Sequence, residues 1–398
     1  MADIRSYMKE KEKRERKQAG YKEKIMRHKL AGIYRILLVI VAVAALAVLL
    51  VVQYRRHIYT DYDTVSSVSK ESISGASNVR LGSSVLTYSK DGAHCTDAKG
   101  NVTWNQTYQM QDVLYAVCGD TVAIGDYNGR NIYVQNASGQ MGQITTTMPI
   151  RNLTVARDGS VTAVLADTDA EWINTYDAKG ELLYYGDAHM NDAGYPAAIS
   201  ISPNGELLCV AYEYVDAGVL KTNIAFYNFG AVGENYSDFM VGIYIYTDLF
   251  VPYVRFMNDS TAFAVGDNRL SIYSGSQKPV EIAGHILNEE IQSVFHSDKY
   301  IGLVFRSDVS GSNYRMDVYD TSAAKVGSYY FNTDYTDIFF GEDTFVAYNE
   351  TECTVMTLGG TEKFHGNFSK SVSLMLPASG AYRYILVTED SIDTIQLK

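Results

Sequence analysis

Proline is scarce, at 6 of 398 residues, and so are tryptophan at 2, cysteine at 4 and histidine at 7. So few prolines leave strands free to pair along their length and exclude a polyproline or collagen-like chain. The cysteines at 95, 118, 209 and 353 contain no C-x-x-C spacing, which argues against a structural zinc site or a thioredoxin-like motif. All four lie in apolar stretches and read as buried free thiols; a Cys95–Cys118 bridge is the one alternative, in an oxidising compartment. The histidines at 28, 57, 94, 189, 285, 296 and 365 form no H-x-H or H-E-x-x-H pair, so no metal site is nominated. A G-x-S-x-G elbow before a helix is missing, and so is a Gly-rich loop leading into Lys-Ser or Lys-Thr. Acidic pairs such as Asp167 with Asp169 fall in turns, where Asp caps backbone amides. The loop 125–131 lacks the terminal Glu of a calcium loop. No catalytic residue and no cofactor is expected.

What is present is repetition. Short runs of Val, Ile, Tyr and Phe alternate with turns built on Gly, Asp or Asn, and Asp97-x-x-Gly100 returns as Asp177-x-x-Gly180. First strands of the units begin near residues 79, 113, 153, 198, 252, 292, 336 and 372, a spacing of about 42, which is the length of a propeller blade. A four-stranded unit of this kind cannot bury both faces alone, so copies must stack. The last unit runs out after three strands, and residues 64–69 are the natural fourth. The expected fold is an all-β, eight-bladed β-propeller over residues 79–398, closed by a strand within the linker 54–78; seven blades is the alternative if the units at 79 and 372 merge.

The N-terminus has a different character. Residues 1–35 carry 12 Lys or Arg and 5 Asp or Glu, a net of +7, so the whole-chain value of −12 leaves −12 − 7 = −19 for the rest. Interleaved glutamates and the lack of an aromatic platform argue against nucleic acid as a partner. Residues 36–52 are 17 consecutive apolar residues. The expectation is a basic cytoplasmic helix (1–35) and a transmembrane signal anchor (36–53) touching membrane lipid, with the propeller outside the cell by the positive-inside rule.

Tyrosine is in excess, 32 of 398, and recurs in and beside strands. Tyr packs between blades, but an exposed Tyr surface also suits protein or glycan partners. The connections at 186–197, 215–222 and 230–238 depart furthest from the repeat, and Asp192, Tyr195 and Tyr236 within them are the candidate ligand- or partner-binding residues.

The basic tail, the apolar run and the stretches 88–104, 122–140, 156–165, 194–214 and 224–230 together resemble a DUF5711-like family of membrane-anchored β-propeller proteins of Gram-positive, clostridial bacteria. The chain is more distantly similar to quinoprotein and WD40-like propellers. With only Trp104 and Trp172, it lacks the Trp girdle of quinoprotein blades. The resemblance implies a non-catalytic binding or scaffold module of the cell envelope, with envelope proteins or cell-wall polymer as partners. A transmembrane sensor and a quinoprotein-like envelope enzyme are the alternatives.

Overall fold

The computed structural model describes residues 3–71, 73, 75–168, 170–189 and 194–398. Two units are separable, Met1–Ile58 and Tyr59–Lys398.

The first unit is one helix, Asp3–Arg56, 54 residues long. Among the described residues no helix is long and apolar enough to cross a membrane. The apolar run of 17 residues spans about 26 Å at 1.5 Å per residue, short of the ~30 Å hydrocarbon layer, and Arg35 interrupts its extension toward Ile33. This overturns the signal anchor at 36–53 and the separate short basic helix before it. With the anchor fall the single-pass plasma-membrane topology, the cytoplasmic and extracellular sides, the lipid contact and the envelope partners inferred from them.

The second unit consists of eight four-stranded antiparallel sheets. Their first strands are Ser77–Leu81, Val113–Cys118, Ile150–Val155, Tyr195–Ile201, Tyr253–Asn258, Ser293–His296, Asp337–Phe340 and Leu374–Pro377, numbered here as blades 1 to 8. This is an eight-bladed propeller, and seven blades is excluded. Blade 8 takes its outermost strand from the other end of the chain: Tyr62–Ser69 pairs antiparallel with Ser391–Leu397, from Tyr62 opposite Leu397 to Ser69 opposite Ser391. The ring is therefore closed by backbone hydrogen bonds rather than by chain connectivity.

The core is eight separate apolar clusters, one at each interface between neighbouring blades. The blade 4–5 cluster is the largest, with 14 buried residues around Phe226, Phe256 and Tyr273, and the blade 8–1 cluster the smallest, with 6. Cys95 belongs to the blade 1–2 cluster, whereas Cys118 packs at the blade 2–3 interface, and all four cysteines are free. The alternative Cys95–Cys118 bridge is thereby corrected: the two thiols face opposite sides of blade 2.

The Asp-x-x-Gly turns join third to fourth strands. Asp97 Oδ1 accepts the N–H of Lys99 and of Asn101, both at 2.8 Å, and Asp177 Oδ1 accepts those of Lys179 and Glu181 at 2.9 and 2.7 Å. Asp320 repeats the arrangement toward Ser322 and Ala324 at 2.9 and 3.0 Å. The fourth position of the turn is left-handed each time, at φ 85° for Gly100, 92° for Gly180 and 67° for Ala323, a backbone that glycine takes without strain in the first two.

Candidate functional site

Residues distant in sequence meet on the axis, because the first strand of each blade lines it. Arg255 of blade 5 is half-buried there. His296 of blade 6 is open to water yet enclosed by the surrounding ring; that enclosure, and then the Arg255 charge, push its imidazole down to about 4. Asp337 opens the first strand of blade 7. Its carboxylate accepts the Ile338 N–H at 2.8 Å and the Tyr348 hydroxyl at 3.2 Å, but burial outweighs both and raises its pKa above the ordinary carboxylate value. A cavity of about 420 Å³ runs beside it, lined by residues of blades 7, 8 and 1, including Asn78, Arg80, Phe339 and Met375. It coincides with the smallest inter-blade cluster, so incomplete packing at that seam accounts for the space. Among the described residues no three His, Cys, Asp or Glu side chains converge to hold a metal.

A second cavity, about 480 Å³, opens between blades 3 and 4. Its lining is aromatic: Tyr184 and Tyr185 from the outer strand Leu182–His189 of blade 3, and Tyr212, Tyr227 and Phe239 from blade 4. Tyr212 and Tyr227 are more than nine-tenths buried, with their hydroxyls 2.8 Å apart. Only one proton of that pair can lie between the two oxygens, so the other hydroxyl keeps a proton to donate. Burial, then the neighbouring phenol, hold the Tyr212 hydroxyl well above its ordinary pKa, so the pair stays neutral. The Tyr184 ring packs 4.9 Å from Phe229, 5.5 Å from Phe239 and 6.1 Å from Tyr227, centroid to centroid. Tyr185 is 65% exposed at the rim.

One wall is a backbone irregularity. Blade 4 connects its third and fourth strands through two 3-10 turns, Gly233–Asn235 and Ser237–Phe239, and Gly233 is obligatory because a Cβ there would stand 1.6 Å from the Asn228 carbonyl oxygen. Asp238 and Phe239 are both left-handed, at φ 54° and 59°. For a bulky residue such as Phe this costs roughly 1–2 kcal/mol. The bend sets the Phe239 ring and the exposed Asp238 into the cavity lining.

The residues nominated from sequence do not share a site. Asp192 lies outside the described residues. Tyr195 opens the first strand of blade 4, opposite Glu213, at the end of the blade that also holds the blade 3 residues Arg151 and Glu171. Arg151 donates to the Tyr127 hydroxyl at 3.1 Å, and Glu171 Oε2 is buried without a hydrogen-bond partner among the described residues. Tyr236 sits at the opposite end, before Met240, which pairs with Tyr227, and Lys278 covers its ring at 5.4 Å. Two of the three long connections are also largely strand: Leu207–Asp216 and Val219–Asn228 meet at a two-residue turn, and Leu182–His189 extends the blade 3 sheet. Among the described residues only 229–239 is a true excursion. The aromatic cleft was missed because its tyrosines sit within strands, where Tyr also serves as packing.

Solved structures are similar to the chain at low sequence identity. AztD from Citrobacter koseri, in its apo form, matches with a TM-score of 0.52 at 8% identity, over 75% of this chain and 86% of that one. BamB from Moraxella catarrhalis matches at 0.47 and 10% identity, over 85% of this chain and 100% of that one. Hydrazine synthase from Kuenenia stuttgartiensis gives 0.44 at 12% identity, over 78% and 100%. No curated protein matches the chain. At sequence level residues 54–397, nearly the whole propeller with its closing strand, match one family, and the chain belongs to the family of unknown function DUF5711.

Proposed function

We propose that the propeller is a binding module that holds a partner in the aromatic cleft between blades 3 and 4. The observation that carries this is the coincidence of features there: a 480 Å³ cavity lined by five aromatic side chains sits where a bulky residue is held left-handed. Cavities of a few hundred cubic ångströms lined by aromatic groups with a few polar atoms are the usual form of a ligand site. Tyr, with a large surface and few rotatable bonds, is the residue binding surfaces favour. The reading is one of binding and not of turnover.

Site-specific photo-crosslinking on the full chain tests it. A benzoylphenylalanine at Tyr185, on the cleft rim, should give a discrete adduct in the native host that is lost on Phe239→Ala. The same group at Val102, 60% exposed on the outer strand of blade 1, should not. Equal adducts at both positions, or none at either, refute the cleft as the binding surface.

A further inference from the structure

We infer that the cleft between blades 3 and 4 takes a cation with an apolar body, an alkylammonium group such as a quaternary ammonium or a lysine-type side chain. The inference rests on the binding reading above and adds the chemistry of the group bound.

Three observations point the same way. The lining offers π-systems in number, with Tyr184, Tyr185, Tyr212, Tyr227 and Phe239 around one cavity. Aromatic rings attract a desolvated cation through the negative potential of their faces, by about 0.5–2 kcal/mol per contact. The only formal charge in the lining is negative: Asp238. No cation among the described residues pairs with it, although Lys221, Arg269, Arg315 and Lys370 elsewhere on the propeller all have carboxylate partners. Finally, the chain beyond residue 35 carries a net −19, from −12 minus +7, so the surrounding field favours positive ligands.

The backbone adds a reason for the strained bend. Asp238 and Phe239 are consecutive left-handed residues, and both line the same cavity. The Tyr184 hydroxyl donates to the Asp238 carbonyl oxygen at 3.4 Å and ties the bend to the facing blade. The Asp238 charge also contributes, after burial, to the raised pKa of the Tyr227 hydroxyl, which puts the carboxylate within electrostatic reach of the cavity floor. An anionic ligand would meet Asp238 with no compensating cation in the lining. A neutral sugar would gain nothing from the carboxylate's charge.

Binding to the full chain is measured by calorimetry with choline, with 3,3-dimethylbutan-1-ol (its uncharged isostere), and with Nα-acetyl-Nε-trimethyllysine amide. Choline should bind saturably, and at least tenfold more tightly than the alcohol. Asp238→Asn should weaken choline at least threefold and leave the alcohol unchanged. Tyr184→Leu should weaken choline and the lysine derivative together. Tighter binding of the lysine derivative than of choline assigns the group to a protein side chain; the reverse assigns it to a free small molecule. Equal binding of choline and its isostere overturns the inference, and so does no saturable binding of either cation by about 50 mM, or binding of N-acetylglucosamine in their place. If the cations fail while the Tyr185 adduct persists, the chemistry is wrong and the binding module stands. If the adduct fails too, both readings fall.

Discussion

A single turn shows how far one residue can be read. Ala217 and Gly218 join the ten-residue strands of blade 4, with Asp216 opposite Val219, and both are left-handed, at φ 52° and 81°. That is the backbone of a type I′ hairpin turn, where Asn-Gly is preferred and a β-carbon without a polar group is strained. Ala217 is exposed and packs on nothing that the change would disturb. Ala217→Asn should therefore stabilise the propeller by about 1 kcal/mol, a shift of roughly 1–2 °C in a domain this large, best read as a rise in the urea midpoint. Asp337 tests a buried charge. Its folded pKa is raised, so between its unfolded and folded values the native state holds the extra proton, and stability falls as pH rises through that window. Above the window the burden persists. Asp337→Asn keeps an oxygen to accept the Ile338 N–H, places its amide NH2 where it donates to the Tyr348 hydroxyl oxygen, and sheds the charge, so its urea midpoint should exceed that of the parent at pH 7.5. The difference should close as the pH is lowered toward 4. A lower midpoint at pH 7.5 would show that the native state requires the charged carboxylate.

At the scale of the element, the strands were legible and their roles were not. Turn residues at regular spacing located the first strand of every blade to within three residues, because Val, Ile and Tyr between Gly and Asp leave a pleated, half-buried strand as the consistent choice. Residues 186–189 and 215–222 read as parts of long connections because polar and small residues are frequent there, yet 186–189 pair with blade 3's third strand and 215–222 form the paired tip of the blade 4 hairpin. The N-terminal helix misled differently: 17 consecutive apolar residues read as a span, but the run falls short of the hydrocarbon thickness and Arg35 stands at its start. The bend at 238–239 leaves no sequence signal, since Asp tolerates a left-handed backbone but Phe gives no hint of one. Ring closure yields the prediction at this scale. Tyr62–Ser69 is the only strand covering the edge Ser391–Leu397 in blade 8, where Ile392, Ile395 and Leu397 are nearly fully buried. A chain starting at Tyr59 should melt at the temperature of the full chain, because the boundary between the two units falls there. A chain starting at residue 71 exposes that edge and should lose at least 10 °C and aggregate through the unpaired strand. Equal melting of the two truncated chains would mean that the outer strand does not hold the ring.

Across the whole propeller, stability depends on how the interfaces share load. Each blade buries its two faces against its two neighbours and has no core of its own, as the eight interface clusters show. In an open stack of repeats, a weakened interface could melt locally while distant repeats persist. A closed ring removes that freedom: opening one interface frees the blades on both sides, and the seam in blade 8 is held by strand pairing together with Tyr62 packed on Phe364 and Lys398 paired with Asp61 and Asp63. Phe226 is the sharpest probe, with 0% exposure and ring contacts to Tyr244, Phe256 and Tyr273 in the largest cluster. Phe226→Ala should cost about 3–5 kcal/mol through lost burial and the cavity left behind. The unfolding transition should remain single and shift as a whole. Under native conditions, hydrogen exchange in the slowest amides of blades 1 and 8, on the far side of the ring, should accelerate by nearly the same factor as in blades 4 and 5, because those amides exchange only when the ring opens. If acceleration is confined to blades 4 and 5, the blades melt independently, and the strand donated by residues 62–69 is a local patch and not the lock of the ring.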